Sequence, residues 1–194
     1  LALDLIEFDN HLDPGDIITV SPNPVSELVR LAESVAVGQV VSAPALDQLV
    51  GGNQPEDSDP LSDLDDAYNG LTLVLTSGPL VGERVVIADY VGATSTFQLY
   101  TPLSGTPAAG TTFDVFDESA ALDEQVFLFD TGAQLSVIST AEADALGLLA
   151  RPPEFTASVQ GAGGVVADLP GYTLDEFSIP TLEGGRLVLR NAPV

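Results

Sequence analysis

The chain has 194 residues, 45% of them hydrophobic, and sets 29 acidic residues against five arginines and no lysine, a formal charge of −24. That length allows one or two domains with a real core, and that charge excludes nucleic acid as a partner, because phosphate binding needs clustered Lys and Arg. With no Cys and His11 as the single histidine, disulfides, thiol catalysis and a multi-histidine zinc site are excluded, a Ser/His/Asp triad would have to use His11, and carboxylates are the chemistry left.

Residues 1–24 read as irregular chain or short strands, with a turn at Asp13-Pro14-Gly15 before Ile17-Ile18-Thr19-Val20. The first residues lack the basic region of a signal peptide, and no apolar run approaches the roughly 20 residues of a membrane helix. Pro24 and Ser26 precede Leu28, Val29, Leu31, Ala32 and Val35, whose spacing near 3.6 predicts a helix stopped at Gly38. Residues 51–66 are acidic and turn-rich and read as a solvated loop. A calcium loop would need a fixed ligand spacing with a Gly and a terminal Glu, which this stretch lacks.

Residues 71–116 predict an antiparallel meander. Leu71–Leu75, Arg84–Ala88, Thr96–Tyr100 and Thr112–Phe116 alternate apolar and polar residues. Turn chemistry at Ser77-Gly78-Pro79, Val91-Gly92 and Pro107–Gly110 separates them. The meander carries no residue constellation with a chemistry of its own, so a structural or spacing role is expected.

The apolar run Val126-Phe127-Leu128-Phe129 then stops at Asp130. A carboxylate at the end of a buried strand is costly unless it has a use there. Thr131-Gly132-Ala133 follows, then Gln134-Leu135-Ser136-Val137-Ile138. Ser139 and Glu142 have capping-box spacing, Ala141, Ala145 and Leu146 give a short helix, and Gly147 ends it. Over 128–148 this pattern resembles the active-site segment of the retropepsin-like aspartic peptidases, of the bacterial type.

The resemblance implies that Asp130 is the catalytic carboxylate, that Thr131 hydrogen-bonds across a pair of such groups, and that Gly132 permits their close approach. Two carboxyls sharing one proton both activate a water and protonate a carbonyl oxygen. Ala133, on the substrate side, stands where pepsin-like lobes usually carry Ser, which implies a slightly higher working pH. Only one Asp-Thr-Gly is present, so the second Asp would come from an identical subunit, as in a C₂ homodimer, or from another chain. The resemblance implies no cofactor and no metal.

A flap is expected 20–35 residues after the motif, where Val159-Gln160-Gly161-Ala162-Gly163-Gly164 lies. Gly161, Ala162, Gly163 and Gly164 would bind the substrate backbone. Taken alone, this stretch reads equally as an ordinary hairpin. The aliphatic–aliphatic–Gly strand usual in the family has no clean counterpart after Gly164, since Leu187-Val188-Leu189 is followed by Arg190. The lobe is therefore expected to be incomplete in this chain.

The expected architecture is mostly β. Residues 121–194 form an acid-protease-like β-barrel lobe. Residues 1–120 hold a helix and a small antiparallel β module, acting as a pro-segment, an insertion or an accessory domain. Two or three short helices complete the chain. The expected activity is that of an aspartic endopeptidase acting on peptides or proteins, with self-processing included. The alternative is a non-catalytic acidic extracellular β-protein whose peptidase-like lobe serves dimerisation or binding. A third reading, a calcium-dependent adhesion module, rests on the acidic residues alone. The acidity and absence of Lys fit a bacterial protein secreted or held at the cell surface in a salty or acidic setting.

Overall fold

The computed structural model describes residues 3–4, 29–54, 60–125, 129–130, 136–161, 164–181 and 186–194. The turn at 13–15 and the strand expected at 17–20 lie outside them. The chain divides by compactness into two units, one of Leu1–Glu33 with Ala120–Val194 and the other of Ser34–Ser119. Residues 29–33 thus group with the C-terminal part, and the junctions fall at 33/34 and 119/120.

Strand β1 is Leu3–Asp4 and β2 is Val29–Ala32. The helix expected between Pro24 and Gly38 is corrected here: residues 29–32 are strand, and β3 runs over Ser34–Ala45. All four residues of β2 are buried. A strand covered on both faces has no alternation, so its short apolar run mimics a helical spacing. Tertiary pairing decides the matter, and the β-branched residues Val29, Val35, Val37, Val40 and Val41 suit it.

The second unit is a closed barrel. Its strands after β3 are β4 (Gln48–Gly52), β5 (Thr72–Leu75), β6 (Arg84–Val91), β7 (Thr96–Leu99) and β8 (Thr112–Phe116). They pair antiparallel in the order β3-β4-β7-β6-β5-β8, and β8 returns to β3. The expected four-strand meander is therefore corrected in its connectivity: β8 pairs with β5 (Leu73↔Val115), not with β7. Two further strands close the sheet, so no exposed edge is left.

Alternating inward residues fill the barrel, with Leu49, Leu73, Leu75, Ile87, Tyr90, Phe97 and Phe113 fully buried. Phe97 meets Phe113 edge-on at 5.3 Å and Tyr90 at 4.7 Å. Gly38 is required beside them, because a Cβ there would lie 2.5 Å from the Phe113 ring. The acidic stretch 51–66 is only partly the solvated loop expected of it. Gly51 and Gly52 end β4, Leu61 is buried, and Asp65 accepts a hydrogen bond from the Gly92 amide at 2.9 Å. Asp63, Asp65 and Asp66 remain exposed.

The other unit continues with β9 (Leu122–Gln125), β10 (Phe129–Asp130), helix α1 (Thr140–Ala145), and a hairpin of β11 (Phe155–Gly161) and β12 (Gly164–Gly171). It ends with β13 (Thr173–Leu174), β14 (Glu176–Pro180), β15 (Arg186–Leu189) and β16 (Ala192–Pro193). A four-stranded antiparallel sheet runs β15-β14-β2-β9, with β1 on β10 and β13 on β16 as separate pairs. Its core joins Val29, Leu31, Leu146, Leu148, Leu174 and Phe177. The chain is mostly β with few helices, as expected of a protease-like lobe.

Candidate active site

Asp130 ends β10, which pairs in parallel with β1 in the register Leu3↔Phe129 and Asp4↔Asp130. The structure describes the backbone of Asp130, and Thr131, Gly132 and Ala133 lie outside the described residues. The chain is described again from Ser136, which is buried, through half-buried Val137 and Ile138.

Helix α1 follows for the local reason the sequence gives. The Ser139 Oγ accepts from the Glu142 amide at 3.1 Å, and a Glu142 carboxylate oxygen accepts from the Ser139 amide at 2.7 Å. This reciprocal cap satisfies two amides that the first turn would otherwise leave open. Gly147, at φ 74°, lets the chain leave the helix in the left-handed conformation.

The β11–β12 hairpin occupies the place where a flap is expected. Phe155 pairs with Gly171 at its base and Gly161 with Gly164 at its far end, with a register shift between Ala157 and Val159. Gly161 and Gly164 are thus brought together as neighbouring strand residues, while Ala162 and Gly163 lie outside the described residues. At the base, the Phe155 ring lies so close over Gly171 that a Cβ on residue 171 would run into it.

A cavity of about 160 Å³ opens between this hairpin and the segment after the Asp-Thr-Gly motif. Val137 and Ile138 form one wall, Leu149 lies beyond α1, and Phe155, Leu169 and Tyr172 come from the hairpin and the residue after it. Sequence reasoning missed this cavity. The apolar residues at 137–138, 149, 155 and 169 were visible, but nothing local says that they converge.

Among the described residues, two ion-pair systems brace the unit. Buried Arg30 donates through Nε to buried Glu176 at 3.2 Å and approaches Asp123 at 3.3 Å. The second Glu176 oxygen lies 4.0 Å from Arg190. Arg151 donates through Nη2 to Glu33 at 3.1 Å and to the Thr173 carbonyl at 2.9 Å. Burial, reinforced by the nearby Asp175 carboxylate, pushes the Glu33 carboxyl up from 4.5 to about 7, against the pull of Arg151. Glu33 was also missed, although a single carboxylate within Leu31-Ala32-Glu33-Ser34-Val35 is the kind of signal that marks such a group.

Among the described residues, no group of three or more His, Cys, Asp or Glu is placed to hold a metal ion, and no helix is long and apolar enough to cross a membrane. Residues 121–193 match the family model described as aspartyl protease. No curated protein and no solved structure matches the chain. The segment 121–193 is thus similar to the aspartyl proteases over well under half of the chain.

Proposed function

We propose that this chain is an aspartic endopeptidase in which Asp130 activates the attacking water. The observation that carries the reading is the aspartyl protease match over 121–193, which contains both the Asp-Thr-Gly triplet and the glycine-ended hairpin. In this reading Asp130 and a second carboxylate share one proton. The ionised partner takes a proton from water, and the protonated partner donates to the carbonyl oxygen as the tetrahedral intermediate forms. Thr131 fixes the pair by hydrogen bonding, and Gly132 lets the two backbones approach. Ala133, Gly161, Ala162, Gly163 and Gly164 line the substrate backbone, with the hairpin closing over it.

In this reading the second Asp comes from an identical subunit, as in a C₂ homodimer, or from another chain. Self-processing and export to a salty surrounding belong to the same proposal, the latter supported by the formal charge of −24. A mixing experiment tests the shared site. Adding folded Asp130→Asn protein to a fixed amount of wild type should reduce cleavage of a peptide substrate as mixed dimers form. Cleavage unchanged by a large excess of the variant would count against a site built from two copies. If Asp130→Asn leaves self-association intact and no form of the protein cleaves, the lobe serves dimerisation or binding instead.

A further inference from the structure

We propose that Asn69-Gly70, in the loop leading into β5, is a site of spontaneous self-modification: each opening of the loop lets Asn69 cyclise and hydrolyse to aspartate or isoaspartate, and the product keeps the loop from closing again. The site belongs to the barrel unit and does not depend on the peptidase reading.

The sequence singles out the position. Of the asparagines at 10, 23, 53, 69 and 191, Asn69 alone precedes a glycine. The reaction needs the backbone nitrogen of the next residue to reach the asparagine Cγ. Glycine puts no Cβ in the way and turns freely into the required geometry. Once its proton has passed to hydroxide or water, the Gly70 nitrogen bonds to Asn69 Cγ and ammonia leaves. Water then opens the five-membered imide at either carbonyl. One opening gives aspartate, and the other gives isoaspartate, whose backbone runs through Cβ. One water is consumed and one ammonia released, with no oxidant or cofactor. Asn69 and Gly70 are both exposed, so water reaches them.

The fold ties up both reacting groups. The Gly70 amide donates to the Ile87 carbonyl on β6 at 2.9 Å, so the proton that must leave is held in a hydrogen bond. Asn69 Nδ2 donates to Asp66 Oδ1 at 2.7 Å, which turns the side-chain amide back along the loop. The Asn69 amide donates to the Asp66 carbonyl at 3.1 Å, and the Asp66 amide to the Tyr90 carbonyl at 2.9 Å. Between them, buried Tyr68 meets the Tyr90 ring edge-on at 4.6 Å. Attack on Cγ therefore requires the Gly70–Ile87 bond to break and the Asn69 amide to turn away from Asp66, which is a local opening of the loop.

The product cannot restore these bonds. Aspartate at 69 sets a carboxylate where an amide donated to Asp66, so two like charges meet at hydrogen-bond distance. Isoaspartate adds a backbone carbon between residues 69 and 70, which moves the Gly70 amide off Ile87. Ammonia is lost for good, so rare openings accumulate as open loops.

Mass spectrometry of the whole chain tests this. Wild type is aged at mildly alkaline pH, folded in buffer and unfolded in guanidinium chloride, and the gain of about one dalton is mapped by fragmentation. Asn69 should be the first asparagine converted, and roughly ten-fold or more slower in the folded chain than in the unfolded one, the scale of protection a closed loop gives. Asp66→Ala, which frees the side-chain amide, should narrow that gap several-fold from the folded side and leave the unfolded rate unchanged. The wild-type comparison stands whether or not this variant folds. Asn69→Asp, standing for the aspartate product, should exchange its Gly70 amide hydrogen several-fold faster than fresh wild type at the same pH. Equal rates in folded and unfolded chain, earlier conversion at another asparagine, or no conversion in the unfolded chain would overturn the site. Unchanged Gly70 exchange in Asn69→Asp would overturn the claim that the product holds the loop open.

Discussion

Arg151 places its Nη2 3.1 Å from a Glu33 carboxylate oxygen, across 118 positions of sequence. The pair ties the turn after α1 to the end of β2, and Nη2 also holds the Thr173 carbonyl at 2.9 Å. Burial acts on Glu33 more strongly than the arginine does, so its carboxyl is raised from 4.5 to about 7, with Asp175 adding to the rise. The folded state therefore binds a proton that the unfolded chain releases at lower pH. Glu33 contributes its stability in full below pH 4.5 and loses it as pH rises through about 7. The expected outcome is that Glu33→Gln flattens the pH dependence of unfolding between those limits and raises the melting temperature above pH 7 relative to wild type, by a few degrees. Thermal melts of both proteins across that window check it. A variant with wild-type pH dependence would show that the charge of Glu33 costs the fold nothing.

Arg30 and Glu176 form a buried pair in the same unit, 7% and 1% exposed. Removing one partner strands a buried charge, which costs about 3–5 kcal/mol. Arg30→Ala should lose that much in urea denaturation. The double change Arg30→Met with Glu176→Leu should lose far less, because it removes both charges and refills the space. Arg190, 4.0 Å from Glu176, would keep some of the stranded charge compensated and set the lower end of the loss.

The cap of α1 offers a smaller and cleaner test. Ser139→Ala removes the acceptor for the Glu142 amide and should cost about 1 kcal/mol. Ser139→Asp keeps an acceptor there and should retain most of the stability, as read by urea titration.

The barrel has its own sensitive point at Gly92. A Cβ there would overlap the backbone carbonyl group of Asp63, which unlike a side chain cannot swing aside. Gly92→Ala should destabilise the barrel by about 1–3 kcal/mol, measured on the denaturation of the whole chain. By contrast, Gly82→Ala meets no atom within 4 Å, and its cost should come only from its φ of +87°.

Local chemistry made part of this fold legible in the sequence. The strand Thr112–Phe116 and the start of β6 at Arg84 follow from alternation and turn residues, and the helix after Ser139 follows from its cap. Long-range pairing was not legible. Nothing near residue 30 announces that Arg30 will meet Glu176, 146 positions away, so an all-buried strand passed for a helix. Closure of the barrel through β8 on β5 and β3 is equally invisible from neighbours in sequence. At the site, Asp130 and the glycines of the hairpin stand out as a motif. The cavity does not, because its walls come from residues 136–140, 143, 149, 155, 157, 169–172 and 194 and exist only once those are folded together.

The central claim is that Asp130 performs hydrolysis, and cleavage of denatured casein from pH 3 to 7 by wild type and Asp130→Asn tests it most directly. The account predicts acid-favoured cleavage by wild type and a loss of roughly 100-fold or more in the variant, the scale of a lost acid–base group, with both proteins folded by circular dichroism. Equal cleavage by the two proteins, or none at any pH from folded wild type, would contradict it.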